Sequence, residues 1–243
     1  MLPYTLYSLF TQTLKPDKII LYLALEEYPN QVSSVSQTIL AFLHKGLEIR
    51  WVAQNLKPYN KLIFALQDFP DDIIITIDDD TIYSPHWLEL LYNAYQEAPQ
   101  FIHAHRAHLV SFDADNNLLP YHQWESCIDY TKTSPSFLNF LTGVGGVLYP
   151  PHTLDKRVQD WSMFMNLCPT ADDVWFWAMA VLQGTKINVI KHNISELKGF
   201  ADEGNPLWHI NCLQEQNDVQ IKNILTQFPQ IKEKIIPHNT YKE

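Results

Sequence analysis

The chain has 243 residues, with 17 basic and 27 acidic side chains and a formal charge of −10, which gives room for one large α/β domain around one core. That charge excludes a surface built to grip nucleic acid or anionic lipid nonspecifically, so a defined pocket is the expected functional surface. At 46% hydrophobic and 18% charged the chain is also excluded from the disordered class.

In chain order, Tyr4 to Thr13 reads as a short amphipathic helix closed by Lys15-Pro16-Asp17. Lys18 to Ala24 follows as a near-continuous apolar strand of the kind buried on both faces. Ser34 to Lys45 reads as a helix with Gly46 as its C-cap, leading into a strand over Leu47 to Val52. Lys61 to Leu66 is helical, and Ile73 to Ile77 is the strongest strand, ending in Asp78-Asp79-Asp80. Ser84-Pro85 looks like a capped helix start ahead of His86 to Ala94. Ile102 to Phe112 reads as one strand. The segment around 113–140 lacks periodicity and reads as a long irregular insertion, the usual place for binding function. Val144 to Tyr149 is a glycine-led strand, Asp172 to Leu182 a helix capped by Gly184, Lys186 to Ile190 a strand, and Asn217 to Thr226 a last helix before a polar tail. Strands alternating with helices predict an α/β sheet. No linker divides residues 1–243, so one domain is expected.

Cys127, Cys168 and Cys212 are widely spaced, without a C-x-x-C pair. They fit buried small hydrophobes in a reducing compartment rather than a disulfide framework or a zinc site. No apolar run of about 18 residues exists, and the N-terminus lacks a basic region followed by an apolar stretch. A soluble, unexported protein is expected.

An apolar strand that ends in three consecutive carboxylates is hard to explain by stability, because like charges repel and each is costly to desolvate. A divalent cation resolves the conflict: hard oxygen ligands suit Mg²⁺ or Mn²⁺, which complete their shells with water and substrate phosphates. The plainer reading is a solvated acidic turn. Asp172-Asp173 opens a helix, where two acids complement the dipole or provide a general base. Gly143, Gly145 and Gly146 form a G-x-G-G turn that lets backbone approach a sugar or phosphate, or that merely bends the chain before a strand. His103, His105 and His108 do not share one strand face, which argues against zinc. Arg106 could hold a phosphate or pair with a core carboxylate. Tyr121 and Trp124, in the irregular insertion, are candidate platforms for a sugar ring, whereas Trp175 and Trp177 sit on an apolar helix face and read as core.

Ile75-Thr76-Ile77-Asp78-Asp79-Asp80, together with Ser8 to Leu21, resembles bacterial glycosyltransferases of the GT-A fold, close to family 2. The resemblance extends through Tyr59-Asn60-Lys61-Leu62, His105 to His108, Gly143 to Pro151 and Ala171 to Phe176, most of residues 4–190. It implies a mixed, mostly parallel sheet flanked by helices. It also implies a metal-dependent, inverting transferase that moves a sugar from a nucleotide-sugar to a glycan or glycolipid hydroxyl during surface polysaccharide synthesis, in the cytoplasm or at the periphery of the inner membrane. By resemblance, Asp78 and Asp80 hold Mn²⁺ or Mg²⁺ on the donor diphosphate, with His209 as a third ligand. Asp78, Asp79, Lys61, Arg106, Gly145 and Gly146 contact the donor, Tyr121 and Trp124 the acceptor, and Asp173 is the base with Asp172 beside it. Family members open with an apolar strand ahead of the helix matched by Tyr4 to Thr13, and this sequence begins at that helix. The resemblance therefore also allows a catalytically impaired, carbohydrate-binding or partner protein with an incomplete nucleotide pocket, and a homo-oligomer that covers an exposed sheet edge. Nucleotidyl transfer is the weakest reading, because no glycine- and lysine-rich N-terminal loop is visible.

Overall fold

A computed structural model describes residues 1–192, 210–211 and 214–236. Helix α1 (Leu2–Phe10) packs Leu6 against Leu47, Ile19 and Leu21, and it precedes β1 (Ile19–Ala24), which pairs in parallel with β2 (Leu47–Val52) from Ile19↔Leu47 to Ala24↔Val52. The helix expected over Ser34 to Lys45 is broken into two 3₁₀ turns around a single helical turn, α2 (Gln37–Leu40). Hydroxyls at Ser33, Ser34, Ser36 and Thr38 offer local alternatives to helical bonding, and Ser36 Oγ and Thr38 Oγ1 pair at 2.9 Å. Gly46 still ends the segment, at φ +102°.

Helix α3 (Asn60–Asp68) leads to β3 (Ile74–Thr76), and α4 (Trp87–Glu97) to β4 (Ile102–Ala104) and β5 (Ala107–Leu109). Ser84-Pro85 does not cap α4, whose N-cap is His86. Instead the Ser84 carbonyl accepts from Gln12 Nε2 at 2.8 Å and the Pro85 carbonyl from Thr13 N at 2.8 Å, so the pair docks the end of α1. The strand expected over Ile102 to Phe112 divides at His105-Arg106 because the chain changes sheets there: β5 pairs with β6 (Asn139–Leu141), while β4 lies between β7 (Val147–Tyr149) and β8 (Ile187–Val189). The four-stranded sheet has the order β3-β7-β4-β8, with β7 antiparallel to both neighbours.

Residues between 110 and 138 are irregular apart from two short 3₁₀ turns, as expected. Helix α5 (Trp161–Leu167) precedes α6 (Asp172–Gln183), which runs through the main core with Trp175 and Trp177 fully buried and ends at Gly184 (φ +89°). Helices α7 (Gln216–Gln227) and α8 (Pro229–Ile235) pack on α6, so the expected polar tail begins with a helix. The arrangement is a mixed α/β fold with sheets flanked by helices.

Candidate active site

Four segments meet at one end of the sheets. The first is the start of α3, where the Tyr59 ring is wholly buried, stacks on Phe164 at 4.0 Å and donates its hydroxyl to the Cys168 carbonyl. Asn60 Oδ1 accepts from Leu56 N at 2.9 Å. With the helix start fixed on both sides, the next residue, Lys61, reaches Asp78 Oδ1 at 2.6 Å and Asp172 Oδ2 at 3.0 Å. The latter contact lacks hydrogen-bond alignment, leaving Asp172 Oδ2 otherwise unsatisfied.

The second segment follows β3. The Asp78 amide donates to the Tyr83 hydroxyl at 3.0 Å, which donates onward to the Val144 carbonyl at 3.2 Å. The Asp79 carbonyl accepts from Thr5 Oγ1 at 2.9 Å. The third is the glycine turn. Gly143 N donates to Asp173 Oδ1 at 2.9 Å, and Trp87 Nε1 donates to the Gly145 carbonyl at 2.8 Å. Gly146 has φ +86°, and a Cβ there would lie 2.1 Å from Trp87 Cζ2, so only glycine fits. The fourth is the first turn of α6, carrying Asp172 and Asp173.

One ammonium therefore faces three carboxylates. Burial opposes the Lys61 charge, but Asp172, Asp78 and Asp173 outweigh it and hold its pKa well above the ordinary lysine value. Burial followed by the Asp172 charge pushes Asp173 up to about 8, against the pull of Lys61. Asp172 is also raised by burial, with Lys61 again opposing. The pair is short of positive charge, so burial and mutual repulsion raise both carboxyls against the pull of Lys61. Asp80 is raised by burial and by Asp78 and Asp79, and its one side-chain hydrogen bond, from Thr81 Oγ1, is a long 3.4 Å.

That donor set bears on a metal. Among the described residues no three His, Cys, Asp or Glu side chains form a ready cage, and His209 lies outside the described residues. Asp80, underneutralised beside Asp78 and Asp79, and the second oxygen of Asp78 fit a hard divalent ion that takes one or two carboxylates and fills its shell from substrate phosphates.

Asp78, Asp79, Lys61, Arg106, Asp172 and Asp173 all line a cavity of about 1590 Å³, as does Tyr121. Arg106 sits at the turn between β4 and β5 rather than on a strand. Its guanidinium donates to Thr142 Oγ1 at 2.8 Å and makes no ion pair among the described residues. Gly145 and Gly146 face Arg106 and Trp87 and do not line the cavity, whereas their neighbours Thr142 and Val144 do. Trp124 is 5% exposed and donates its indole N–H to the Leu119 carbonyl. It backs Tyr121 at 5.1 Å and offers no open face of its own.

His103, His105 and His108 are all buried, and burial pushes each down to about 4. Their rings bond backbone: His103 to the Ala98 carbonyl, His105 to the Trp87 carbonyl and His108 to the Cys127 amide. They are neutral structural groups. Cys168 is buried and Cys127 half-buried, both free, and Cys212 lies outside the described residues. Sequence reasoning missed Tyr83 and Trp87, which tie the acidic turn to the glycine turn; both lie in the Tyr-Ser-Pro-His-Trp run directly after Asp80-Thr81-Ile82.

A sheet whose strand end delivers carboxylates to a cavity faced by a second acidic helix start is the arrangement of a GT-A nucleotide-sugar transferase. The profile of glycosyl transferase family 2 matches residues 1–146, more than half of the chain, and the chain belongs to that family. Among curated proteins no sequence matches it. A solved structure, apo UDP-glucose pyrophosphorylase, is similar at 9% identity and a TM-score of 0.42, covering 94% of this chain and 86% of that one. No described helix is long and apolar enough to cross a membrane.

Proposed function

We propose that residues 1–243 act as one domain that transfers a sugar from a nucleotide-sugar to a glycan or glycolipid hydroxyl with inversion, dependent on Mn²⁺ or Mg²⁺. The observation that carries this reading is Asp173: a buried carboxylate, fixed by the Gly143 amide and pushed up to about 8, within the same charged cluster as the strand-end Asp78. A base with a pKa near the working pH takes a proton efficiently.

In this reading the donor diphosphate lies against Asp78, Asp80, Lys61 and Arg106. Asp78 and Asp80 would hold the metal, which when bound stabilises the negative charge of the departing nucleoside diphosphate. Lys61 and Arg106 add fixed positive charge on the phosphate side. Tyr121 presents a ring to the acceptor, and its backbone is held by Asp218 Oδ1 at 2.8 Å. Asp173 accepts the acceptor hydroxyl proton as the new glycosidic bond forms on the face opposite the leaving group, and Asp172 keeps the Lys61 charge beside it. Cytoplasmic synthesis of a surface polysaccharide is the setting the family resemblance suggests.

The test is calorimetric titration of UDP and GDP, with CMP as control, in the presence and absence of Mn²⁺, on the native protein and on D80A. Manganese-dependent binding of one nucleoside diphosphate, weakened at least tenfold in D80A, is expected. No binding to any of them by a folded native protein would refute the donor site.

A further inference from the structure

We propose that Arg106 and His108 read an anionic group on the acceptor, so that the sugar receiving transfer carries a carboxylate or a phosphate. The inference rests on the proposed transfer reaction and names the class of its acceptor.

The three buried histidines differ in what their second ring nitrogen meets. His103 uses both nitrogens, on the Ala98 carbonyl at 3.0 Å and on Asn188 Nδ2 at 3.1 Å. His105 bonds the Trp87 carbonyl, and its Nδ1 is sealed in the core. His108 instead lines the cavity and accepts from the Cys127 amide at Nδ1, at 3.0 Å. Its Nε2 has no partner among the described residues and is not sealed by them. Burial and the Arg106 charge keep the ring neutral, and a neutral ring that accepts at Nδ1 carries its proton at Nε2. His108 therefore offers the cavity a donor and no acceptor.

Arg106 stands two residues earlier. One of its N–H groups goes to Thr142 Oγ1 at 2.8 Å, and among the described residues no carboxylate pairs with the rest. A guanidinium has five donors in a planar fork, enough to meet the donor phosphate and a second oxyanion. From 106 to 142 the cavity is lined by Arg106, His108, Tyr121, Ser126, Phe140 and Thr142, none of them acidic. The absence is notable in a chain of formal charge −10, whose Asp78, Asp79, Asp172 and Asp173 line the same cavity. Donors without a carboxylate beside them suit an oxyanion, whereas an uncharged sugar would strip water from the guanidinium without supplying a counter-charge.

The stretch also adjoins the base. Thr142 N donates to the Arg106 carbonyl at 3.1 Å, and the next amide, of Gly143, holds Asp173 Oδ1 at 2.9 Å. An acceptor hydroxyl at Asp173 thus has the rest of its sugar within reach of Arg106 and His108. The donors are held in place by β5 and β6, where His108 pairs with Phe140. The Tyr121 ring meets His108 edge-on at 5.6 Å and Phe140 at 5.8 Å.

The test is calorimetric titration of methyl β-glucuronide, glucose 6-phosphate and uncharged methyl β-glucoside, with Mn²⁺ and saturating UDP or GDP, whichever binds, so that the donor phosphate side is already filled. One of the two anionic sugars is expected to bind at least tenfold more tightly than the glucoside; the glucuronide in that place identifies a carboxylate acceptor, the phosphate a phosphorylated one. In H108N the side-chain oxygen still accepts from the Cys127 amide but no distal N–H remains, and the preference is expected to fall threefold or more; in R106Q it is expected to vanish. Equal binding of all three sugars, binding of none of them, or a preference that H108N or R106Q leaves unchanged overturns the proposal. If a variant does not fold, the preference of the native protein and the other variant decide. Failure of both nucleoside diphosphates to bind is the distinct result that removes the transfer reaction itself, and this inference with it.

Discussion

Replacing Asp173 with Asn should slow turnover by about 100-fold or more and at the same time stabilise the protein at alkaline pH. The Asp173 carboxyl is pushed up to about 8 from an ordinary 3.8, first by burial and then by Asp172. A group whose folded pKa lies above its unfolded value binds more proton in the folded state. Its contribution is therefore intact below about pH 4 and is lost progressively as pH rises toward 8. About four pH units at about 1.4 kcal/mol each bound the loss near 6 kcal/mol. Because Asp172 and the Lys61 ammonium share that proton and relax with it, roughly half, about 2–3 kcal/mol, is expected. Asparagine keeps the acceptor for the Gly143 amide and carries no charge to desolvate. Urea unfolding of both proteins at pH 5 and pH 8 should give D173N an advantage of about 2–3 kcal/mol at pH 8 that shrinks below about 1 kcal/mol at pH 5. Equal stabilities at both pH values, or a D173N protein less stable at pH 8, would refute the reasoning.

Tyr83→Phe removes the hydroxyl that joins the Asp78 amide to the Val144 carbonyl. It is expected to lower stability by about 1–2 kcal/mol in urea unfolding and to weaken nucleoside diphosphate binding about tenfold by calorimetry, because the acidic turn loses its tether to the glycine turn. Gly146→Ala combines a positive φ with a Cβ 2.1 Å from Trp87 Cζ2. A loss of about 3 kcal/mol or more should appear as a fall in Tm of about 6–12 °C, whereas a change of a degree or two would show that the turn and Trp87 shift apart easily.

Elements whose ends carry strong local chemistry are legible in the sequence. β2 is bounded as expected because Gly46 stops what precedes it, and α6 runs from its acidic first turn to Gly184. Errors arise where tertiary contacts decide. The single strand-like segment over Ile102 to Phe112 gives no sign that the chain changes sheets at His105, whose amide bonds the Gly146 carbonyl. Ser84-Pro85 has the chemistry of a cap but is used to hold α1. The unforeseen α5 did have a readable signal: Asp160 accepts from Met163 N at 3.0 Å as an N-cap, yet the almost unbroken apolar run after it obscures helical periodicity.

At the site, the acidic residues are visible as motifs because their clustering is electrostatically costly without a purpose. Their grouping around Lys61 depends on long-range packing, through Tyr59 against Phe164 and through α6, and no spacing in the sequence encodes it. Aromatic candidates fare worse. Trp124 and Tyr121 look equivalent in an irregular segment, and only the fold shows that Leu119 takes the Trp124 indole N–H while the Tyr121 ring borders the cavity.

The most direct measurement is release of nucleoside diphosphate by the native protein from a panel of UDP- and GDP-sugars, with Mn²⁺ or with chelator, alongside D173N. At least one donor should be consumed in Mn²⁺ and none in chelator, and D173N should be slower by about 100-fold or more. A folded native protein that consumes no donor, or a D173N protein that keeps full turnover, would contradict a transferase built on Asp173.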